Sequence, residues 1–120
     1  MNGEIISKEG NYVTKNCDPT AHAEVSAIRS ACKKLGTFKL NGCKVYSSTE
    51  PCSMCLSAIY WSRISEIYYS ATRDDAQKYD FDDSFIYKEV ALPIEDRQIK
   101  HINLNMESSL DPFEQWKNLE

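Results

Sequence analysis

The chain has 120 residues, a length typical of one domain with one hydrophobic core. Hydrophobic residues make up 42% of it and charged residues 27%, a composition that excludes an intrinsically disordered protein. No apolar run is long enough to cross a bilayer, and Met1 is not followed by the basic and apolar stretches of a secretory signal. We therefore predict one domain over residues 1–120, a cytoplasmic location and no membrane partner.

Charge and cysteine content narrow the class of partner. The formal net charge is −4 and the longest basic run is Lys33–Lys34, so the sequence lacks the dense positive charge typical of nucleic-acid binding. Five cysteines, an odd number in a chain without an export signal, favour reduced thiols over a disulfide framework. We predict a metal ion held by cysteine and no nucleic-acid partner.

Hydrophobic periodicity predicts strands and helices in alternation. Five segments carry the pattern in the order strand, helix, strand, helix, strand: residues 3–7, 18–36, 43–47, a helix from about 53, and 66–71. After a polar loop, the pattern predicts a helix ending at Ala91, a strand over 99–104 and a last helix from Asp111. This order is typical of a sheet with parallel neighbours and helices on both faces, so we predict a three-layer α/β/α fold.

The strongest chemical signal lies at two predicted helix starts. His22 lies in the first turn of one predicted helix, and Cys52 and Cys55 lie at the junction between a strand and the start of another helix. Two thiolates and an imidazole suit Zn²⁺, and a helix N-terminus favours the thiolate over the thiol. Three ligands leave a fourth position for water, whose pKa zinc lowers to about 7. We predict a zinc ion held by His22, Cys52 and Cys55.

Glu24 is the predicted proton carrier of this site. It lies two positions after His22 on a different side of the helix, where it is poorly placed to ligate the same ion but can reach the water beside it. A carboxylate there can take a proton from water and give it to a substrate nitrogen. An H-x-E followed by P-C-x-x-C is the signature of zinc-dependent nucleobase deaminases.

An alternative interpretation makes the zinc site structural. Cys17, five residues before His22, would be a fourth ligand and would close the site as Cys₃His. That arrangement leaves Glu24 without a role, and a predicted turn at residues 18–19 separates Cys17 from the helix. The open, catalytic site is therefore the favoured interpretation.

Beyond this signature, the chain resembles the cytidine deaminase superfamily and, within it, the family of bacterial guanine deaminases. The likeness rests on D-P-T-A-H-A-E at 18–24, E-P-C-S-M-C-L-S-A-I-Y-W at 50–61 and F-D-D-S-F-I-Y at 81–87. The third stretch and Trp61 favour the guanine deaminases over their tRNA-editing relatives. The resemblance implies a cytidine-deaminase-like sheet, zinc-dependent hydrolysis of guanine, a purine base, to xanthine and ammonia, and a homodimer that can exchange C-terminal segments.

The same resemblance implies substrate contacts at Asn11, Trp61 and Asp83. Asp83 can accept hydrogen bonds from the adjacent N1–H and 2-amino group of guanine, and it is a candidate second proton relay. The Asn11 amide suits a purine acceptor, and the Trp61 indole offers a flat apolar wall. Each residue also has a structural interpretation: a turn residue for Asn11, helix packing for Trp61 and a helix cap for Asp83.

Members of that family carry a helix and a first strand before the segment that corresponds to residues 2–7, so the resemblance implies that both are missing here.

Three alternatives to a guanine deaminase stay open: a tRNA adenosine deaminase, a deaminase of another base, and a zinc domain or fragment without activity. The acidic balance argues against the first, because a polynucleotide substrate requires lysine and arginine near the site.

Overall fold

The computed structural model describes residues 2–79 and 84–119. The chain divides into two compact units, Met1–Lys88 and Glu89–Glu120. The prediction of one domain over residues 1–120 stays a prediction. No helix within the described ranges is long and apolar enough to cross a membrane.

Helices and strands alternate through the first unit: α1 (Val13–Asn16), α2 (Ala23–Leu35), β1 (Lys44–Thr49), α3 (Ser53–Trp61), β2 (Glu66–Ala71) and α4 (Arg73–Gln77). Helix α5 (Ser84–Ala91) contains the boundary between the units. Strands β1 and β2 are parallel neighbours, with Val45 opposite Ile67. Helix α3 lies between the two strands in sequence and forms the crossover connection that parallel strands need. The predicted α/β class is confirmed.

Two predicted strands are not formed. Residues 3–7 have no strand conformation; instead, the Ser7 hydroxyl donates to the Ala27 carbonyl of α2 at 2.8 Å. Residues 99–104, predicted as a strand, also lack strand conformation, although apolar and polar side chains alternate over 102–104. Alternation specifies which side chains share a face, but a strand also needs a neighbour for its backbone hydrogen bonds.

Helix α2 begins later than predicted. The Asp18 carboxylate accepts hydrogen bonds from the Thr20 N–H and hydroxyl at 2.9 and 2.6 Å, which makes a turn and not a helix start. The helix starts at Ala23, after His22 in an extended conformation with φ −61° and ψ 156°. The predicted end is confirmed, because Gly36 adopts the left-handed conformation with φ 66°.

The core of the first unit is small and lies beside α2. Ala31, Leu40 and Cys43 form its buried cluster. Partly buried apolar side chains pack against that cluster: Ile6, Ile28, Cys32 and Ile64. Helices α2 and α3 also contact each other, and Val25 of α2 and Ile59 of α3 are buried. These contacts hold the two helices that carry the predicted metal ligands.

The second unit has one α-helix in its described residues, α6 (Asp111–Leu119), preceded by the 3₁₀ turns Ile94–Asp96 and Glu107–Leu110. The Arg97 guanidinium organises the start of the unit by donating to the Glu89 and Val90 carbonyls, each at 3.0 Å. None of residues 89–119 is buried.

Candidate metal centre

Three predicted ligands come together between α2 and α3. His22 is the N-cap of α2, Cys52 is the N-cap of α3, and Cys55 lies in the first turn of α3. The His22 Nδ1 atom is 3.6 Å from the Sγ of Cys52 and 3.6 Å from the Sγ of Cys55. All three donor atoms lie within 4.8 Å of one another. Cys55 is fully buried, whereas His22 and Cys52 are half-buried.

The spacing of these atoms fits a tetrahedral zinc ion. Zinc binds imidazole nitrogen at about 2.0 to 2.1 Å and thiolate sulfur at about 2.3 Å, so tetrahedral geometry places the two donors about 3.6 Å apart. Both N–S distances here are 3.6 Å. One nitrogen and two sulfurs are also a donor set that zinc prefers, so the residues present fit the ion.

The local sequence explains how α3 presents two sulfurs to the same point. Cys52 is extended, with φ −69° and ψ 175°, and its Sγ accepts a hydrogen bond from the Cys55 N–H at 3.5 Å. Its carbonyl accepts from the Leu56 N–H at 2.8 Å as the first helical bond. The sulfur of Cys52 therefore caps the helix, and the free N–H groups of the first turn favour its thiolate form.

The two thiols are electrostatically unequal. The pKa of Cys52 is lowered to about 5, mainly because the Cys55 thiol donates a hydrogen bond to its thiolate, and then because backbone N–H groups and the charge of His22 stabilise it. The pKa of Cys55 is raised, because it donates to Cys52, is buried, and lies near the negative charge of Glu24. Two thiolates side by side thus require a cation between them.

Glu24 lies in the first turn of α2 and is half-buried. Its carboxylate is near enough to Cys55 to raise the pKa of that thiol by its charge and by a hydrogen bond. It is not among the converging donor atoms of His22, Cys52 and Cys55. This is the position expected for a group that acts beside the ligands and not as one of them; its role in proton transfer stays a prediction.

The predicted substrate contacts have different surroundings. The Asn11 Oδ1 accepts a hydrogen bond from the Val13 N–H at 2.9 Å, which is the turn role that its sequence position suggested. Trp61 ends α3 with 77% of its surface exposed, so the described residues do not bury it as helix packing would. Asp83 lies outside the described residues. Substrate binding by these three residues stays a prediction.

Cys17 is separate from the metal cluster. It is exposed, and it ends α1 in the left-handed conformation with φ 50°. Within the described part of the chain, the converging set comprises His22, Cys52 and Cys55 without it. The structure therefore gives no support to a closed Cys₃His site.

Comparison with known proteins shows the family of this chain. Residues 1–71 match the cytidine and deoxycytidylate deaminase zinc-binding region, a match that includes the three converging ligands and Glu24. The chain belongs to this deaminase family. The predictions of a cytidine-deaminase-type fold, a zinc cofactor and a zinc-dependent hydrolytic deaminase are confirmed at this level.

Individual relatives of this chain include a guanine deaminase and a tRNA-specific adenosine deaminase. Guanine deaminase from Bacillus subtilis is 51% identical over 116 residues, which are 97% of this chain and 74% of the relative. The X-ray structure of guanine deaminase from Bacillus subtilis superposes with a TM-score of 0.95 and covers 98% of this chain and 74% of that chain. The tRNA-specific adenosine deaminase of Aquifex aeolicus is 52% identical over 69 residues, 58% of this chain and 46% of the relative.

Sequence reasoning missed a group of residues that surround the segment before Cys52. The Tyr87 hydroxyl donates to the Pro51 carbonyl at 3.0 Å, and the Arg73 guanidinium lies 3.9 Å from the centre of the Tyr87 ring. Arg73 also pairs with Glu50, with 3.4 Å between Nε and Oε2. No motif marks these contacts, because they join residues that are far apart in sequence. Tyr87 belongs to the F-D-D-S-F-I-Y stretch, where its sequence position indicated no role.

Proposed function

We propose that this deaminase hydrolyses guanine to xanthine and ammonia. The observation that carries the proposal is the likeness to guanine deaminase from Bacillus subtilis, which extends over 97% of the chain at 51% identity. The likeness to the tRNA-specific adenosine deaminase covers only 58% of the chain. The segment that follows the zinc region is therefore shared with the guanine enzyme.

The proposed chemistry needs a nucleophile and a proton carrier. Zinc bound by His22, Cys52 and Cys55 would acidify a water molecule and so supply the nucleophile at neutral pH. Glu24 takes a proton from this water and passes it to a ring nitrogen as oxygen adds to C2 of guanine. It then takes the proton of the new C2 hydroxyl and passes it to the amine, which leaves as ammonia while C2=O forms. The first turn of α2 orients Glu24 toward the ligands, so the carboxylate acts without displacing them.

Three further residues complete the proposed substrate site. Asp83 accepts hydrogen bonds from the N1–H and the 2-amino group of guanine and helps to move protons at the amine end. Trp61 supplies an apolar wall for the purine ring, to which its 77% exposed surface is available. The Asn11 amide donates to a purine acceptor, while its Oδ1 keeps the hydrogen bond to Val13.

The decisive experiment compares the wild-type chain with Glu24→Gln. Both proteins are purified, their bound zinc is counted, and guanine consumption is followed by ultraviolet absorbance together with ammonia release. We expect wild-type turnover and a loss of roughly 10²- to 10⁴-fold in Glu24→Gln, because an amide cannot accept the proton. Zinc content should stay equal, since Glu24 is not one of the ligands.

The matched control is Glu107→Gln, the same chemical change at an exposed position of the second unit. It should turn over guanine like the wild type. Full activity of zinc-loaded Glu24→Gln would overturn the role of Glu24. Zinc-loaded wild type that releases ammonia from adenine or cytosine but not from guanine would overturn the substrate assignment.

A tRNA adenosine deaminase is the second candidate function, because 69 residues of the chain are 52% identical to the tRNA-specific adenosine deaminase of Aquifex aeolicus. Its substrate would require phosphate contacts from lysine and arginine, and binding would weaken steeply with salt. With a net charge of −4, we expect no tRNA binding at low salt. Measurable binding by filter retention, together with inosine formation, would favour this candidate over guanine deamination.

We extend the proposal to a cytoplasmic homodimer, with C-terminal segments that can exchange between copies. Apolar side chains of α6 support association, because Phe113, Trp116 and Leu119 are 73%, 67% and 82% exposed. The five cysteines are free, and thiol ligands for zinc persist in a reducing compartment such as the cytoplasm.

A further inference from the structure

We propose that Tyr87 is a positioning residue for the zinc ligand Cys52, acting through the Pro51 carbonyl and supported by Arg73. The inference concerns the metal centre on which the proposed function rests. Its first readout is metal affinity, so it is tested separately from guanine turnover.

The contact between Tyr87 and Pro51 supports the first step. Pro51 is buried and directly precedes Cys52, the N-cap of α3. The Tyr87 hydroxyl of α5 donates to the Pro51 carbonyl at 3.0 Å. Proline has no backbone N–H, so this carbonyl is the single backbone hydrogen-bonding group by which residue 51 can be held. Tyr87 therefore restrains the peptide group that joins Pro51 to Cys52.

Arg73 supports the second step by holding Tyr87 in place. Its guanidinium carbon lies 3.9 Å from the centre of the Tyr87 ring, which is a close cation–π stack. The same side chain pairs with Glu50 at 3.4 Å, and the Arg73 N–H donates to Glu50 Oε1 at 3.0 Å. One arginine thus links the tyrosine to the residue two positions before the ligand.

Glu50, the partner of Arg73, is itself held by the end of strand β2. Its N–H donates to the Ala71 carbonyl at the end of β2 at 2.7 Å. Both residues before Cys52 are consequently tied to other elements: Glu50 to the end of β2 and the start of α4, and Pro51 to α5. No intrahelical bond of α3 could supply this restraint, because both residues precede the helix.

The restraint on the Pro51–Cys52 peptide matters because the position of the Cys52 sulfur determines two contacts, one with α3 and one with His22. It caps α3 by accepting from the Cys55 N–H, and it lies 3.6 Å from His22 Nδ1. Rotation of the Pro51–Cys52 peptide would move the sulfur relative to His22, which belongs to another helix. Groups that orient metal ligands typically change metal affinity by about 10- to 100-fold when they are removed.

The experiment uses Tyr87→Phe in the full chain, which removes the hydroxyl and keeps the ring for Arg73. Zinc affinity is measured by competition with a chromophoric chelator. We expect about tenfold weaker binding than in the wild type. The visible absorption of the Co²⁺-loaded protein should shift as well, because the geometry of the ligands changes. The matched control is Tyr79→Phe, at a tyrosine that is 76% exposed, and it should bind zinc like the wild type.

A second variant tests the role of Arg73. Arg73→Gln removes the guanidinium, and we expect it to weaken zinc binding in the same direction by a smaller factor. In the double variant the two losses should be less than multiplicative, because Arg73 acts through Tyr87. Multiplicative losses would overturn the linkage between them. Urea unfolding of the metal-free proteins shows whether each variant folds.

Wild-type zinc affinity and an unchanged Co²⁺ spectrum in Tyr87→Phe would overturn the proposal. An equal loss in Tyr79→Phe would overturn it too, since the effect would not be specific to the Pro51 contact. If the wild type fails to deaminate guanine but Tyr87→Phe still weakens zinc binding, the proposed function fails and this inference stands.

Discussion

At the residue scale, the metal centre depends on a division of roles between two cysteines of one helical turn. Cys52 is half-buried, and its pKa is lowered, mainly because the Cys55 thiol donates a hydrogen bond to its thiolate. Cys55 is fully buried and its pKa is raised, mainly because it donates to Cys52, so a cation beside it would favour loss of its proton. Metal binding therefore completes the charge balance of the site, with the second proton leaving as the ion enters.

Cysteine substitutions distinguish this centre from a closed Cys₃His site. Cys55→Ser should lose stoichiometric zinc, because it removes one of three converging donors. Cys17→Ser should keep it, because Cys17 is exposed and lies outside the converging set. Zinc content after gel filtration, measured by atomic absorption, checks both. Loss of zinc from Cys17→Ser would support the structural interpretation of the site.

At the element scale, α2 determines where His22 and Glu24 are placed, and its two ends are made differently. The turn formed by Asp18 and Thr20 delays the start of the helix until after His22, so the imidazole belongs to the N-cap. At the other end the Gly36 N–H donates to the Cys32 carbonyl in a left-handed cap. The caps fix where α2 starts and ends, and its contacts with α3 hold its first turn near the cysteine ligands.

Two glycine substitutions test the C-terminal cap of α2. Gly36 has a φ of 66°, where a side chain is strained, so Gly36→Ala should lower the free energy of unfolding by roughly 1 kcal/mol. Gly10 has no positive φ and no neighbouring atom within 4 Å of an added Cβ, so Gly10→Ala should change it by less than about 0.5 kcal/mol. Urea unfolding of the metal-free proteins measures both; equal effects would contradict the assigned role of Gly36.

At the scale of the whole molecule, apolar surface is unevenly covered. The first unit has a small core beside α2, whereas none of residues 89–119 is buried. Large apolar side chains such as Ile99, Ile102 and Leu104 are at least 75% exposed. Burying these side chains against a second copy would remove apolar surface from water, which agrees with the proposed homodimer.

The oligomeric state tests this proposal directly. Sedimentation equilibrium should give a mass of about twice the 13.7 kDa of one chain, because association removes the apolar surface of α6 from water. Trp116→Asp should shift the mass toward the monomer. Asn118→Asp, which adds the same charge on the same helix, should not. A monomeric wild type at micromolar concentration would contradict the homodimer.

Local signals explain which parts of the fold could be predicted. The strand ending at Ala71, the helix from Ser53 and the glycine end of α2 follow from periodicity and from conformational preferences of single residues. The helix start at Asp18 was wrong, because an Asx turn and a helix N-cap use the same residue types. Helix α4 was predicted as a polar loop, since its short capping box at Thr72 carries no apolar periodicity.

By itself, the sequence determined the zinc chemistry of this protein, because His22, Glu24, Cys52 and Cys55 occur at spacings that local helix geometry turns into a metal site. Only the tertiary structure decided that three of their side chains meet with 3.6 Å between nitrogen and sulfur, and that Cys17 stays apart. It also decided which distant residues hold the Pro51–Cys52 peptide. The physical reason is that donor identity is a property of each residue, whereas convergence depends on packing between helices that are thirty residues apart in sequence.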